Sequence, residues 1–240
     1  MIKKMFPIVI LAGGLATRLR PLTETVPKAM LETNGKPFVE HQLRLLARNG
    51  ITEVIMCLGY LGEQIIDFVG DGSRYGLKVE YVFDGPVLLG TAGAVKRALP
   101  VINAETFFVL NGDSYLPCDY AAVAATFIAS QKQALMTVYH NEGKWDTSNV
   151  EYGDNRIIAY DKQNRTPRML YIDYGLEVFT KGAFDIVPAN EPYDLVPVYQ
   201  ALLAKQQLAA HEVKQRFYEN GSFAGISELA TYLADTELAS

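Results

Sequence analysis

Between residues 8 and 110, short apolar runs alternate with longer segments whose apolar positions recur every three to four residues. Ile8 to Ala12 is a mostly β-branched run and reads as a buried strand. In Pro37 to Asn49, the residues Phe38, Leu43, Leu45, Leu46 and Ala47 repeat at helical spacing, and Gly50 supplies a C-terminal cap. Glu53 to Leu58 predicts a second strand, and Glu63 to Val69 a short helix that stops at Gly70. Leu77 to Phe83 alternates as a third strand, and Thr91 to Leu99 predicts a helix behind a glycine turn. Thr106 to Leu110 is a fully apolar fourth strand ending at Asn111-Gly112-Asp113. Strand–helix repetition predicts a mostly parallel sheet with right-handed crossovers. In such sheets ligands bind beyond the carboxyl ends of the strands, where Gly13-Gly14 and Asp113 fall.

The second half has a different rhythm. Leu135 to Tyr139, Ser148 to Tyr152, Arg156 to Tyr160, Leu170 to Asp173 and Leu176 to Thr180 read as short strands divided by turn residues. Tyr193 to Ala204 and Ser227 to Leu233 read as helices. This part is expected to be a lobe that completes the site rather than an independent domain. No repeat, linker or low-complexity tract interrupts the chain. The end of the sequence soon after the last helix leads us to expect no appended acyltransferase-like coil.

Composition narrows the class without naming it. A chain of 240 residues suits one α/β domain or a tight pair of lobes. With 49% hydrophobic and 20% charged residues it reads as soluble and globular. A net charge of −5 argues against a nonspecific nucleic-acid binder, although a local basic site for a nucleotide remains compatible with it. No apolar stretch reaches about 18 residues, so no membrane partner is expected. Met1-Ile2-Lys3-Lys4 runs straight into the glycine loop, so no signal peptide is expected and a cytoplasmic location is. Cys57 and Cys118 lie in or beside apolar segments and read as reduced core thiols. His41, His140 and His211 have no metal-ligand spacing, which argues against zinc. A homo-oligomer is left open.

The chemistry concentrates first in residues 7–31. Leu11, Ala12, Gly13 and Gly14 end the first strand, Ala16, Thr17 and Arg18 follow, and Lys28 comes behind Pro27. Backbone N–H groups in a glycine-rich loop form an anion-binding concavity, and Arg and Lys add a planar fork and a point charge. The loop is not a P-loop, because no Lys-Ser or Lys-Thr follows the glycines. Neither is it a dinucleotide fingerprint, because the glycines are adjacent and no third one follows. The plain alternative is a βα turn with surface cations.

Leu11 to Arg18, followed by Pro27-Lys28, resembles the signature of sugar-1-phosphate nucleotidyltransferases, roughly L-A-G-G-x-G-T-R and then P-K. Ala16 stands where that family usually has Gly. The resemblance implies a three-layer, Rossmann-like mixed sheet, mostly parallel and flanked by helices, of the nucleotide-diphospho-sugar transferase type with a smaller sugar-binding lobe. It implies one domain over 1–240, with about 1–120 the nucleotide-binding half and about 121–240 the sugar-binding half. Leu11, Ala12, Gly13, Gly14 and Thr17 would bind nucleotide. In Leu88 to Leu99 the L-G-T-A-G segment, with Gly90, Thr91 and Gly93, would let a base lie against bare backbone. Elsewhere that segment would simply cap a helix.

Phe107 to Leu116 delivers Asp113 to the end of a strand, where a carboxylate suits Mg²⁺. Outside this context it would be an ordinary Asn-Gly-Asp turn. The family's second metal carboxylate matches Glu219 in Arg216 to Leu229, with Glu replacing Asp. Asp161-Lys162 resembles the family's E-K pair, which contacts sugar hydroxyls and the sugar phosphate. Tyr171 to Phe179 resembles its I-N-A-G-x-Y-x-F strand, with Asp173 at the Asn place and Gly175 matching. Thr147-Ser148 falls where many members have Tyr-Gly, which puts Ser148, with Asn111, on the sugar side.

The implied substrates are an NTP and a sugar 1-phosphate, and the implied products an NDP-sugar and pyrophosphate. The motif combination looks closest to small guanylyltransferases acting on heptose or mannose 1-phosphate. It is also similar to uridylyltransferases that use N-acetylmuramate 1-phosphate. A phosphate nucleophile is largely ionised at pH 7, so no general base is required. Arg18, Lys28, Asp113 and Lys162 would act by positioning and charge stabilisation. The rival readings are a non-catalytic nucleotide-sugar-binding subunit and a dinucleotide oxidoreductase. Retention of those four residues argues against the first, and the absent third glycine against the second.

Overall fold

A computed structural model describes residues 5–238; the basic start at Met1 to Lys4, read above for a leader, lies outside the described residues. In chain order the elements are β1 (Ile8–Ala12), β2 (Glu32–Thr33), β3 (Lys36–Pro37), α1 (Phe38–Arg48), β4 (Glu53–Leu58), α2 (Gly62–Val69) and β5 (Lys78–Phe83). Then come α3 (Gly90–Ala98), β6 (Thr106–Asn111), β7 (Ser114–Tyr115), α4 (Tyr120–Ser130), β8 (Ala134–His140), β9 (Val150–Gly153) and β10 (Arg156–Tyr160). The chain continues through β11 (Tyr171–Thr180), α5 (Leu195–Ala204), β12 (Leu208–Val213), β13 (Tyr218–Glu219) and α6 (Phe223–Leu238).

Strands β6, β1, β4 and β5 run parallel and side by side, Ile8 opposite Val54 on one flank and Phe108 on the other. Beyond β6 the sheet turns mixed: β11 is antiparallel to both β6 and β8, and β12 runs parallel to β8. The β9–β10 hairpin extends the edge through Tyr171 and Val150. The central strands are buried on both faces, which is why they read as continuous apolar runs. Ile8 and Ile10 face α1, α2 and α4 with Leu43, Ile65 and Val123; Val9 faces α3 and α5 with Val95 and Leu202. A third cluster, Phe38, Leu45, Tyr115, Leu229 and Leu233, docks α6 against α1 and β7.

Several elements depart from the sequence reading, among them β12, a strand it did not predict, and α6, which starts at Phe223 rather than Ser227. Helix α4 has no apolar stripe, because YAAVAATFIAS is small or apolar almost throughout and gives no period to read. The two strands expected at Leu170 to Asp173 and Leu176 to Thr180 are one strand, interrupted by a register shift around Gly175, whose φ of +96° favours glycine. Helix α5 starts at Leu195 rather than Tyr193, because residues 191–194 fold back onto α3.

Candidate active site

The carboxyl ends of β1, β4 and β6 open into a cleft of about 290 Å³. Leu11, Ala12, Gly13, Gly14 and Ala16 form one wall, and Lys28, Asn111 and Asp113 another. Glycine is required at Gly112, where a side-chain carbon would sit 2.6 Å from the Leu11 carbonyl oxygen. Ala16 takes a left-handed conformation, φ 49° and ψ 42°. Its carbonyl accepts a hydrogen bond from the buried Thr23 hydroxyl at 2.8 Å, which holds the loop in that shape. Thr17 and Arg18 occupy a short 3-10 turn, Thr17–Leu19, and both are exposed and outside the cleft wall. The structure therefore does not bring Arg18 together with Lys28 and Asp113; it stands at the surface of the same loop.

Lys28 and Asp113 meet at the mouth, Nζ donating to Oδ2 at 2.8 Å. Three elements converge to hold them. The buried Gln42 amide on α1 donates to the carbonyls of Asn111 at 3.2 Å and Ser114 at 2.9 Å, bracing both sides of Asp113. The Asn220 N–H donates to the Asp113 carbonyl at 2.8 Å, and its amide side chain to the Lys28 carbonyl at 2.9 Å. Pairing of β13 with β7 sets Glu219 opposite Ser114. The Glu219 carboxylate accepts from the Gly221 N–H and from the Ser222 hydroxyl, the latter at 2.5 Å.

Among the described residues no group of three or more His, Cys, Asp or Glu side chains gathers as a metal centre. The corner nevertheless suits a hard cation that keeps waters and substrate oxygens as its other ligands. Gly221 has no side chain, and the point its Cβ would occupy lies 2.6 Å from Glu219 Oε2, 3.2 Å from Lys28 Nζ and 3.5 Å from Asp113 Oδ2. Two carboxylates thus border a space that glycine alone keeps open.

At the other end of the cleft, Gly90 and Thr91 begin α3 and line the wall together with Asp84, Leu88 and Cys57. The Asp84 carboxylate is buried, accepts from the Leu89 N–H at 3.0 Å, and is pushed up from its ordinary pKa by that burial. Burial, with the nearby Asp84 charge second, raises the Cys57 thiol to about 12, so it stays protonated. Gly93 does not line this cleft, whereas Gly90 and Thr91 do. It makes room for residues 191–193, since a side-chain carbon there would sit 2.8 Å from the Glu191 carbonyl oxygen. The Tyr193 carbonyl accepts from the N–H groups of Ala92 and Gly93, and the Thr91 hydroxyl accepts from the Leu195 N–H at 2.8 Å. These bonds join the first half of the chain to the second.

A second cleft of about 270 Å³ adjoins the first, sharing Thr91, Asn111 and Asp194. Lys162, Asp173, Glu177, Tyr160 and Tyr199 complete it. Glu177 is fully buried, and desolvation followed by the Asp173 charge holds its pKa well above the ordinary carboxylate range. Gly175 approaches Asn111, with 3.4 Å from its would-be Cβ to the Asn111 amide nitrogen. Two expected sugar contacts are absent from this wall. Asp161 accepts from the backbone N–H groups of Gln163 and Asn164 at 2.7 and 2.8 Å, which closes its own turn and lowers its pKa. Ser148 is buried, accepting from the Gly143 N–H and the Asn141 amide, both at 3.1 Å, so its hydroxyl is spent inside the 141–148 loop.

Asp84, Asp194, Glu177, Tyr199, Gln42 and Asn220 did not emerge from the motif reading. Two of them carried a signal: Gln42 interrupts the apolar stripe of α1, and Glu177 puts a charge inside an apolar strand.

The sheet and its paired clefts define an α/β protein of the nucleotide-diphospho-sugar transferase fold. HddC from Yersinia pseudotuberculosis, crystallised with GMP-PN, superposes with a TM-score of 0.80 at 25% identity, over 95% of this chain and 100% of that one. Residues 8–217 match the model of the nucleotidyl transferase family, and the chain belongs to that family. It is 41% identical over 118 residues, 49% of its length, to the N-acetylmuramate alpha-1-phosphate uridylyltransferase of Neisseria meningitidis. It is 31% identical over 186 residues, 77% of its length, to the D-glycero-alpha-D-manno-heptose 1-phosphate guanylyltransferase of Campylobacter jejuni. The chain spans about half the length of several curated relatives, 51% for the Neisseria protein, and 80% of the Campylobacter protein.

Proposed function

We propose that this chain transfers a nucleotidyl group from an NTP to a sugar 1-phosphate, releasing pyrophosphate. The observation that carries the reading is the Lys28–Asp113 pair in a cleft walled by glycines and backbone, next to a second cleft of hydroxyl, amide and carboxyl groups that meets the first at Thr91, Asn111 and Asp194. The nucleotide lies in the first cleft with its base toward Gly90 and Thr91 and its phosphates toward Gly13, Gly14 and Lys28. The sugar lies in the second, its phosphate met by Lys162 and its ring by Asp173 and Asn111. On this division about 1–120 serves the nucleotide and about 121–240 the sugar, while Glu219 and Asn220 return to finish the phosphate corner.

The nucleophile is a phosphate oxygen that is already ionised, so the residues at the site need not remove a proton. Two anions must approach, and charge builds on the departing pyrophosphate. Lys28 shifts from Asp113 to the nucleotide phosphates, Lys162 aims the sugar phosphate in line, and Arg18 folds in from its exposed turn to meet the leaving group. Asp113 and Glu219 would hold Mg²⁺, which when bound neutralises the phosphate oxygens and orients them. GTP with a manno-heptose or mannose 1-phosphate is the substrate pair we favour, supported by the GMP-PN complex of the structural relative and by the Campylobacter relative. Uridylyl transfer to N-acetylmuramate 1-phosphate is the second reading, favoured by the Neisseria relative. On either reading the protein works in the cytoplasm, in nucleotide-sugar synthesis for cell-surface polysaccharide.

The test is pyrophosphate release with Mg²⁺ across four NTPs crossed with a panel of sugar 1-phosphates. Release with one pair and its loss in Asp113→Asn supports transfer. Tight NTP binding without release from any pair would support a non-catalytic binder instead.

A further inference from the structure

The second cleft is unusual in its charge. Three acidic side chains, Asp173, Glu177 and Asp194, line it against one cation, Lys162. Lys162 sits exposed in the turn after β10, where it is free to meet the phosphate of an entering sugar. With Lys162 engaged by that phosphate, the described residues lining the cleft offer a further anionic substituent no cationic partner. They offer hydroxyls a great deal. Asp173 and Glu177 flank the register shift of β11 and line the same wall, so the bulge presents two carboxyl groups to one space. Asp173 is fixed at both ends: its own N–H donates to the Asn149 side-chain oxygen at 3.0 Å, and its Oδ1 accepts from the Gly175 N–H at 3.2 Å. The Asp173 carboxylate also lies beside Glu177 and the Tyr160 hydroxyl, inside the cleft. The buried Tyr160 hydroxyl lines the same cleft beside the Asp173 carboxylate and makes no well-formed hydrogen bond. A buried hydroxyl without a well-formed bond is costly and marks a place where a ligand group completes it.

Resting on the transfer reading above, we propose that Asp173, with Glu177 and Asp194 lining the same cleft, selects uncharged polyhydroxyl sugar 1-phosphates and rejects sugar 1-phosphates that carry a second anion. Asp173 accepts from sugar hydroxyls, and Tyr160 supplies a donor and acceptor to the same ring. A carboxylate on the sugar would meet the Asp173 charge in a confined space, where like charges are least screened. The inference sets a neutral hexose or heptose against N-acetylmuramate, whose lactyl group is a carboxylate.

Matched pairs of sugar 1-phosphates that differ by one carboxylate provide the test: glucose against glucuronate, mannose against mannuronate, and N-acetylglucosamine against N-acetylmuramate. The kcat/KM ratio within a pair is measured for wild type and for the isosteric Asp173→Asn. Wild type is expected to favour the neutral member of whichever pair it uses by about tenfold or more, and Asp173→Asn to narrow that ratio at least about tenfold. A ratio is insensitive to a general loss of folded protein, so a merely structural role for Asp173 would leave it unmoved. Equal or better use of the carboxylate-bearing sugar, or an unchanged ratio in Asp173→Asn, would overturn the proposal. Were no pair to release pyrophosphate, the transfer reading would fall. The selectivity would then be judged by calorimetric binding of glucose 1-phosphate against glucuronate 1-phosphate to the nucleotide-loaded protein. A retained preference would support it, and equal binding would sink it.

Discussion

At the scale of single residues, the phosphate corner depends on Lys28 and Asp113 being both paired and accessible. Their side chains are 23% and 38% exposed, so the pair is screened by solvent and adds little to stability. Its value lies in holding a cation and an anion in the first cleft, with Asp113 two residues beyond Asn111, which both clefts share. Asp113→Asn and Lys28→Ala are each expected to lower kcat about 10²- to 10³-fold, a magnitude typical of removing a group that stabilises transition-state charge. Circular dichroism and the urea midpoint should stay close to wild type; a collapsed midpoint would reassign the pair to folding. Ala16 invites the opposite experiment. It holds a left-handed conformation that costs an L-residue roughly 1–2 kcal/mol and glycine much less. Glycine also loses more chain entropy on folding, so Ala16→Gly should stabilise by only about 0.5–1 kcal/mol in equilibrium denaturation. A destabilised variant would mean that the loop is not held as the Thr23 hydrogen bond suggests.

At the scale of elements, two glycines close to the site do different work. A Cβ on Gly221 would crowd Glu219 and Lys28, both flexible side-chain ends, so Gly221→Ala should fold normally yet lose activity about tenfold or more. A Cβ on Gly93 would press on the Glu191 carbonyl, which is backbone and cannot swing aside. Gly93→Ala should therefore cost roughly 1–3 kcal/mol of stability, read as a lower urea midpoint. The contrast also shows what the sequence could reveal. Strands β1, β4, β5 and β6 were legible to within a residue because each is a short apolar run bounded by turn residues. The loops that end β1 and β6 were legible because glycines and charges sit beside those runs. Helix α4 was not, since a segment that is apolar all round has no period to detect. Gly93 matched a motif yet packs against the 191–194 loop, a neighbour about 100 residues away that local pattern cannot announce. Ser148 and Asp161 stand outside the second cleft for a related reason. Each satisfies its own loop, and that competition between local hydrogen bonds and ligand is invisible until the backbone is known.

At the scale of the whole molecule, β11 binds the two halves: it pairs with β6 on one side and β8 on the other, and it carries Asp173 and Glu177 into the cleft between them. Burying Glu177 in this shared strand links the global stability to pH. Desolvation, with the Asp173 charge second, raises its folded pKa well above the 4.5 it would have in an unfolded chain. The folded state therefore holds a proton that the unfolded state releases once the pH passes that unfolded value. By linkage, its contribution is most favourable below about pH 4.5 and declines steadily as the pH rises toward the folded pKa. The folded carboxyl is neutral across that window, so Gln is a close mimic of it and has no proton to lose from either state. In Glu177→Gln this part of the pH dependence should vanish. Urea denaturation of both proteins at intervals between about pH 5 and 8 reads the effect directly. The variant's stability relative to wild type should climb with pH, because the wild type is losing ground that the variant never held. Asp84, also raised by burial, titrates in the same direction but is common to both proteins and cancels in the difference. A difference that stays flat across the range would show that Glu177 ionises in the folded protein as it does in the unfolded one. The cleft would then carry one more full negative charge, and its rejection of anionic sugars would be steeper still.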